Sequence, residues 1–134
     1  DDFDDTRKKE LPQQALAKHG DKLHCMVGLF EYNPPFIFDA LKSKGKLGEI
    51  AVVGFDENFR TLDEIAKGNC IGTVVQNPYE YGYRSVKILH EIITGKNEYE
   101  DKEYIEIPLR VISTKKRAQE YKQELQGLLK KAKD

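Results

Sequence analysis

Short apolar runs alternate with amphipathic stretches along most of the chain. Leu23–Phe30 (LHCMVGLF) is mostly apolar, as a strand covered on both faces requires. Glu49–Phe55 (EIAVVGF) is the clearest strand, β-branched and apolar, and Ile71–Gln76 (IGTVVQ) is a third. Tyr104–Ile112 reads as a fourth, and its Pro108 predicts an edge or inter-lobe position. Between them lie helical stretches. Leu11–His19 has Pro12 in its first turn and Gly20 after its end. A second helix runs from about Pro35 to Lys44, with Ile37, Ala40 and Leu41 on one face and Gly45 beyond it. Thr61-Leu62-Asp63-Glu64 has the form of a capping box opening a short helix that stops at Gly68. Asn77-Pro78-Tyr79-Glu80 opens the next, with Gly82, Val86, Leu89 and Ile93 along one stripe and Gly95 at its end. Ala118, Tyr121, Leu125, Leu128 and Ala132 mark a charged C-terminal helix. Strands alternating with helices of these lengths predict right-handed crossovers and a mainly parallel sheet. The fold class is α/β.

Composition narrows the function classes. The chain has 134 residues, about one domain's worth, and 22 Lys+Arg against 23 Asp+Glu leave a net charge of −1. That balance disfavours a nucleic-acid or anionic-membrane binder, which needs a surplus of positive charge. The apolar runs fall far short of the roughly 20 residues that span a bilayer. The chain opens Asp1-Asp2-Phe3-Asp4-Asp5 without an initiator Met, signal sequence or lipid-attachment Cys, which predicts a segment entered mid-protein or already processed. Cys25 and Cys70 match no zinc or redox spacing and are read as buried free thiols, with a single disulfide as the alternative. If their strands flank Glu49–Phe55 they stand about 10 Å apart, two strand spacings, beyond the roughly 7 Å a disulfide allows.

Open α/β sheets bind ligands beyond the carboxyl ends of their strands. There the sequence supplies Glu31-Tyr32-Asn33 after Phe30, Asp56 after Phe55, and Gln76-Asn77 after the third strand. A carboxylate can accept from neighbouring hydroxyls, an amide can donate and accept, and aromatic rings offer a flat apolar surface. This set suits a neutral polyhydroxylated ligand better than a phosphate, since no Gly-rich anion loop or basic cluster accompanies it. Plainer roles compete: Asp56 biasing a helix N-terminus, Asn77 as a helix cap, Asn33 as a turn residue, and Tyr79, Tyr81 and Tyr83 as packing. Gln76 has no obvious role within its strand. His19, His24 and His90 are scattered, no nucleophile or metal-ligand spacing appears, and no catalytic residue, metal or cofactor is expected. The adjacent Asp63 and Glu64 read as capping and helix-dipole groups, and the Lys115-Lys116-Arg117 and Lys130-Lys131 runs as a solvated face.

Taken in order, these segments resemble a known family. Val52-Val53-Gly54-Phe55-Asp56 resembles the strand-plus-aspartate of type I periplasmic sugar-binding proteins, the ribose-binding-protein group. Gly72-Thr73-Val74-Val75-Gln76-Asn77-Pro78 is similar to their next strand, which carries a ligand-contacting glutamine before a helix. Gly82, Ile93-Thr94-Gly95-Lys96 and Ile107-Pro108-Leu109-Arg110-Val111-Ile112-Ser113-Thr114-Lys115 are similar to its helix, terminal glycine and closing strand. The resemblance covers roughly residues 4–115. At the earlier strand end the family often has an Asn-Asp pair; here Phe30-Glu31-Tyr32-Asn33 precedes two prolines, with either Phe30 or Asn33 at the ligand position.

The resemblance implies a parallel-sheet, Rossmann-like lobe of the two-lobed periplasmic binding protein type I fold, incomplete in this chain. Residues 1–76 would be the latter part of the second, sugar-binding lobe. Residues 77–134 would return through the hinge to the helix and strand of the first lobe, followed by the C-terminal helix. It further implies a non-enzymatic, periplasmic solute-binding component that closes on a sugar and delivers it to the membrane permease of an ABC importer. Asp56 and Gln76 would fix hydroxyls, and Phe30, Tyr32 and Asn33 complete the candidate contacts. The rival reading is the effector domain of a lac-repressor-like transcription regulator, which shares the fold. With neighbouring strands absent, the chain alone is expected to be marginal, aggregation-prone or associated with another copy. No nucleic-acid partner is expected.

Overall fold

The computed structural model describes residues 4–96 and 104–131. In chain order these form α1 (Asp5–His19), β1 (Cys25–Val27), α2 (Asn33–Ser43), β2 (Ala51–Phe55), α3 (Phe59–Lys67), β3 (Gly72–Val75), α4 (Pro78–Ile93), β4 (Arg110–Ile112) and α5 (Lys115–Lys131). Alternating strands and helices bear out the α/β class. The sheet has the order β1-β2-β3-β4. β1 pairs parallel with β2 (Val27 opposite Val53), and β2 pairs parallel with β3 (Phe55 opposite Val74).

Two compact units emerge: the described residues up to Val75 together with those from Val111, and Gln76–Arg110. The first unit holds the apolar core. Ile37, Phe38 and Leu41 of α2, Leu62 and Ile65 of α3, Val52, Val75 and Ile112 of the strands, and Ala118 and Tyr121 of α5 are all buried in it. Leu125 packs against that core while Leu128 is exposed, so the predicted α5 stripe is buried only over its first turns; Ala132 lies outside the described residues. In the second unit α4 has no buried residue, and Val86, Leu89 and Ile93 of its predicted stripe are exposed.

Several local expectations are corrected. α1 starts well before Leu11, because Asp4 caps it by accepting from the Arg7 amide at 2.8 Å; Pro12 therefore sits inside the helix, buried, and not in its first turn. The capping box at Thr61 does not form. Asn58 caps α3 instead, its side-chain oxygen accepting from the Arg60 and Thr61 amides at 3.0 and 3.4 Å. Thr61 is drawn into the core, where its hydroxyl has no partner. Glu64 turns to Lys67 Nζ at 2.8 Å and Asn69 Nδ2 at 2.6 Å, and Asp63 accepts from Lys122 of α5 at 2.6 Å. Asn77 does cap α4, accepting from the Glu80 amide at 3.2 Å.

β1 and β4 are each three residues long, shorter than the apolar runs that predicted them, and Pro108 precedes β4 rather than interrupting it. The cysteines differ. Cys70 is buried, with its Sγ 3.3 Å from the Val52 carbonyl and 3.5 Å from that of Gly72, and burial pushes its thiol up to about 11. Cys25, expected to be buried, is exposed, because β1 is the outermost strand of the sheet and has a neighbour on one side only.

A proline wedge sits where β1 ends. The ring of Pro34, in the first turn of α2, lies against the backbone at Gly28 and Gly54. A Cβ on Gly28 would stand 2.7 Å from Pro34 Cδ, and one on Gly54 3.0 Å from Pro34 Cγ. Gly28→Ala is therefore expected to cost about 1–3 kcal/mol, because the ring and strand must separate. Gly127→Ala in α5, where an added Cβ meets nothing, is expected to stabilise by about 0.5–1 kcal/mol. Denaturant unfolding of the two variants measures both.

Acid sensitivity follows from Glu64. Burial pushes its carboxyl up, but the hydrogen bonds from Lys67 and Asn69 and the positive charges of Lys67 and Arg60 together outweigh that and hold it below its ordinary value of 4.5. A carboxylate depressed in the folded state stabilises above its unfolded pKa and loses that contribution as pH falls through the folded one. Glu64→Gln should therefore flatten the fall in melting temperature below about pH 4.5. An unchanged acid limb would refute the assignment.

Candidate functional site

The carboxyl edge of the sheet in the first unit gathers the candidate residues. β1 and β2 run parallel with Val27 opposite Val53, so Phe30 and Asp56 each stand three residues beyond a paired position on adjacent strands. Between Phe30 and α2 the chain makes a tight turn. The Asn33 amide donates to the Phe30 carbonyl at 3.0 Å, and the Asn33 side-chain oxygen accepts from the Phe30 amide at 3.0 Å. Asn33 thus serves the turn with its oxygen. Phe30 and Tyr32 stack, with centroids 5.7 Å apart and planes within 10°. The Lys8 ammonium of α1 stands 4.6 Å from the Tyr32 ring centroid, a cation–π contact that sequence spacing did not reveal. A groove of about 340 Å³ opens beside this turn, lined among others by Lys8, Leu11, Pro12, Met26, Phe30 and Asn33.

Asp56 is the backbone anomaly of the described residues. It is the non-glycine residue with positive φ, at 62°. For an L-residue this left-handed conformation costs roughly 1–2 kcal/mol, least for Asn and Asp. Two bonds hold it there. Its amide donates to the Val74 carbonyl at 2.8 Å, and its carbonyl accepts from the Thr73 hydroxyl at 2.8 Å. Residues held in this region cluster at functional sites, which keeps Asp56 a candidate. The cap of α3 itself is Asn58.

The two flanking loops are also joined. Asn58 Nδ2 donates to Glu31 Oε2 at 2.8 Å, linking the turn after β1 to the segment after β2. Farther back, Arg60 holds both carboxylate oxygens of Asp39, and this hydrogen-bonded guanidinium keeps the Asp39 carboxyl below its ordinary value. Glu31 belongs to the strand-end set expected from the sequence, whereas Asn58 does not. The signal was the Asp56-Glu57-Asn58 run, whose last residue stands just before a helix.

Phe30, Tyr32, Asn33 and Asp56 thus share one edge of one unit. Gln76, exposed, directly follows β3 and opens the second unit. Among the described residues no cluster of His, Cys, Asp or Glu could hold a metal ion, and no helix is long and apolar enough to cross a membrane.

No curated protein matches the chain. Among solved structures it is similar to GanP, a glucose-galactose binding protein from Geobacillus stearothermophilus, at 26% identity and a TM-score of 0.73, covering 84% of this chain and 39% of that one. Its fold is similar to that of two ABC transporter solute-binding proteins from Agrobacterium vitis. One has D-fucose bound (24% identity, TM-score 0.69, covering 79% of this chain and 35% of that one). The other is bound with alpha-D-tagatopyranose (24% identity, TM-score 0.72, covering 87% and 37%). The chain spans under two fifths of the length of these structures. Residues 2–97 match the family described as periplasmic binding protein domain. With most of its length in that match and its parallel sheet shared with these structures, the chain belongs to the periplasmic binding protein domain family.

Proposed function

We propose that this chain is part of the solute-binding component of an ABC-type sugar importer, acting outside the cytoplasm, in the periplasm. The observation that carries the reading is Asp56. Its carboxylate stands on a backbone locked in a left-handed conformation at the carboxyl end of β2, one strand from the stacked Phe30 and Tyr32. A carboxylate accepts from vicinal hydroxyls, and a stacked aromatic pair offers a flat face to the C–H side of a sugar ring. Gln76 adds an amide able to donate and accept, and Asn33 supports the turn that carries the rings. The kinship with a glucose-galactose binding protein favours a neutral sugar over a charged solute.

In this reading residues 1–76 belong to the second lobe and residues 77–134 return through the hinge to the first, except that the C-terminal strand and helix from Val111, which group with the residues up to Val75, are reassigned to the second lobe. The exposed apolar side chains of α4 (Tyr83, Val86, Leu89 and Ile93) are then a face that the rest of the first lobe covers, and the isolated chain would associate with another copy through it. Sugar between the lobes binds the closed state better than the open one, and that difference shifts the population toward closure and docking on the permease.

The test is calorimetric titration of D-galactose and D-glucose into a protein carrying this chain and both lobes. Asp56→Ala is expected to weaken sugar binding about tenfold or more, since it removes hydrogen bonds to a charged group. Gln76→Ala should weaken it less. Unchanged affinity in Asp56→Ala would remove Asp56 from the site.

A further inference from the structure

Asn58 faces two ways. Its Oδ1 caps α3, accepting from the Arg60 and Thr61 amides, while its Nδ2 donates to the Glu31 carboxylate at 2.8 Å. Serine or aspartate would cap a helix as well as asparagine does. Neither brings a cap acceptor and an N–H donor on one short side chain, whereas a carboxamide does. The cap alone therefore does not account for asparagine at this position.

The residues it joins matter. Glu31 lies inside the turn that carries the Phe30–Tyr32 stack, and Asn58 is two residues after the strained Asp56. The bonds that close the turn on itself, Phe30 amide to Asn33 Oδ1 and Asn33 amide to Phe30 carbonyl, do not reach the Asp56 segment. The bonds that fix Asp56 run to β3, at Val74 and Thr73. The Asn58–Glu31 bond ties one loop to the other. Behind it, the Arg60–Asp39 pair fastens the first turn of α3 to α2, so the two helices that bear the loops are held as well.

We propose that Asn58 is a positioning residue that clasps the turn after β1 to the segment after β2 and so sets the placement of the aromatic stack relative to the Asp56 carboxylate. Its effect on ligand affinity rests on the sugar-binding reading; the clasp itself does not.

Three variants separate the two jobs of Asn58. Asn58→Ser keeps the cap and removes the carboxamide N–H that reaches Glu31, leaving only a shorter hydroxyl whose oxygen is held at the cap. Asn58→Asp keeps the cap and sets a second carboxylate against Glu31. Asn58→Asp combined with Glu31→Gln restores the bond with donor and acceptor exchanged. Amide hydrogen exchange on the full chain reads the Phe30 and Asn33 amides, and thermal melting reads the cap. Asn58→Ser is expected to speed exchange at both amides about fivefold, the worth of one hydrogen bond, with the melting temperature falling less than in Asn58→Ala, which loses the cap as well. Asn58→Asp should speed it further, and the double variant should return it to the parental rate. Exchange unchanged in Asn58→Ser, or a double variant as open as Asn58→Asp alone, overturns the clasp. In the two-lobed protein, D-galactose affinity should fall about fivefold in Asn58→Ser and recover in the double variant. Altered exchange with unaltered D-galactose affinity overturns the placement role. Failure of the parental protein to bind D-galactose or D-glucose, with the exchange pattern as expected, refutes the sugar reading and leaves the clasp standing.

Discussion

The wedge of Pro34 against Gly28 and Gly54 is the contact on which the candidate site depends. A proline in the first turn of a helix loses no hydrogen bond and enters with φ already suitable. Here it also supplies a rigid ring that can be seated tightly. A Cβ just past β1, at Gly28, would collide with that ring, and Gly54 of β2 leaves little room for one. The consequence is positional. β1 stops at Val27, the chain turns through Phe30–Asn33, and α2 begins beside the ends of two parallel strands. A longer β1 would carry Phe30 and Tyr32 away from the segment that holds Asp56.

On that base the site is secured by backbone and by short polar side chains. Asp56 is kept at positive φ by bonds to β3, and the turn after β1 closes through the Asn33 amide group. The long side chains contribute at the periphery, Lys8 over Tyr32 and Arg60 on Asp39. This division suits recognition of hydroxyls, because short side chains on fixed backbone lose little rotamer freedom when a ligand arrives.

How much of this was legible depended on whether the deciding interaction was local. β2 and the Asn77 cap of α4 were readable because an apolar β-branched run and an Asn-Pro pair carry their own instructions. The α3 cap was not. Asn58 and Thr61 are both good caps, and only the burial of Thr61 in the core decides between them. The start of α1 is hidden in the sequence because its first turn is charged and shows no apolar period, while its cap at Asp4 lies among several aspartates. The length of β1 is not legible in the pattern, since Gly28, Leu29 and Phe30 continue its apolar run although the strand ends at Val27, where the ring of Pro34 is seated. Asp56 was legible as a residue at a strand end. Its left-handed backbone was not, because aspartate there looks like any other loop carboxylate.

Preorganisation connects these observations to binding. A ligand that must order its receptor loses affinity to that ordering. In the first unit the ordering accompanies folding: the turn is closed, the rings are stacked, the carboxylate backbone is fixed, and Asn58 joins the two loops. In the proposed protein the remaining cost of binding is then the movement between lobes. A half-site that is already set can favour the closed state as soon as sugar occupies it, because its contacts form without further local rearrangement. The strain at Asp56 belongs to the same argument: it is sustained by the fold in the free protein, so ligand binding does not have to create it.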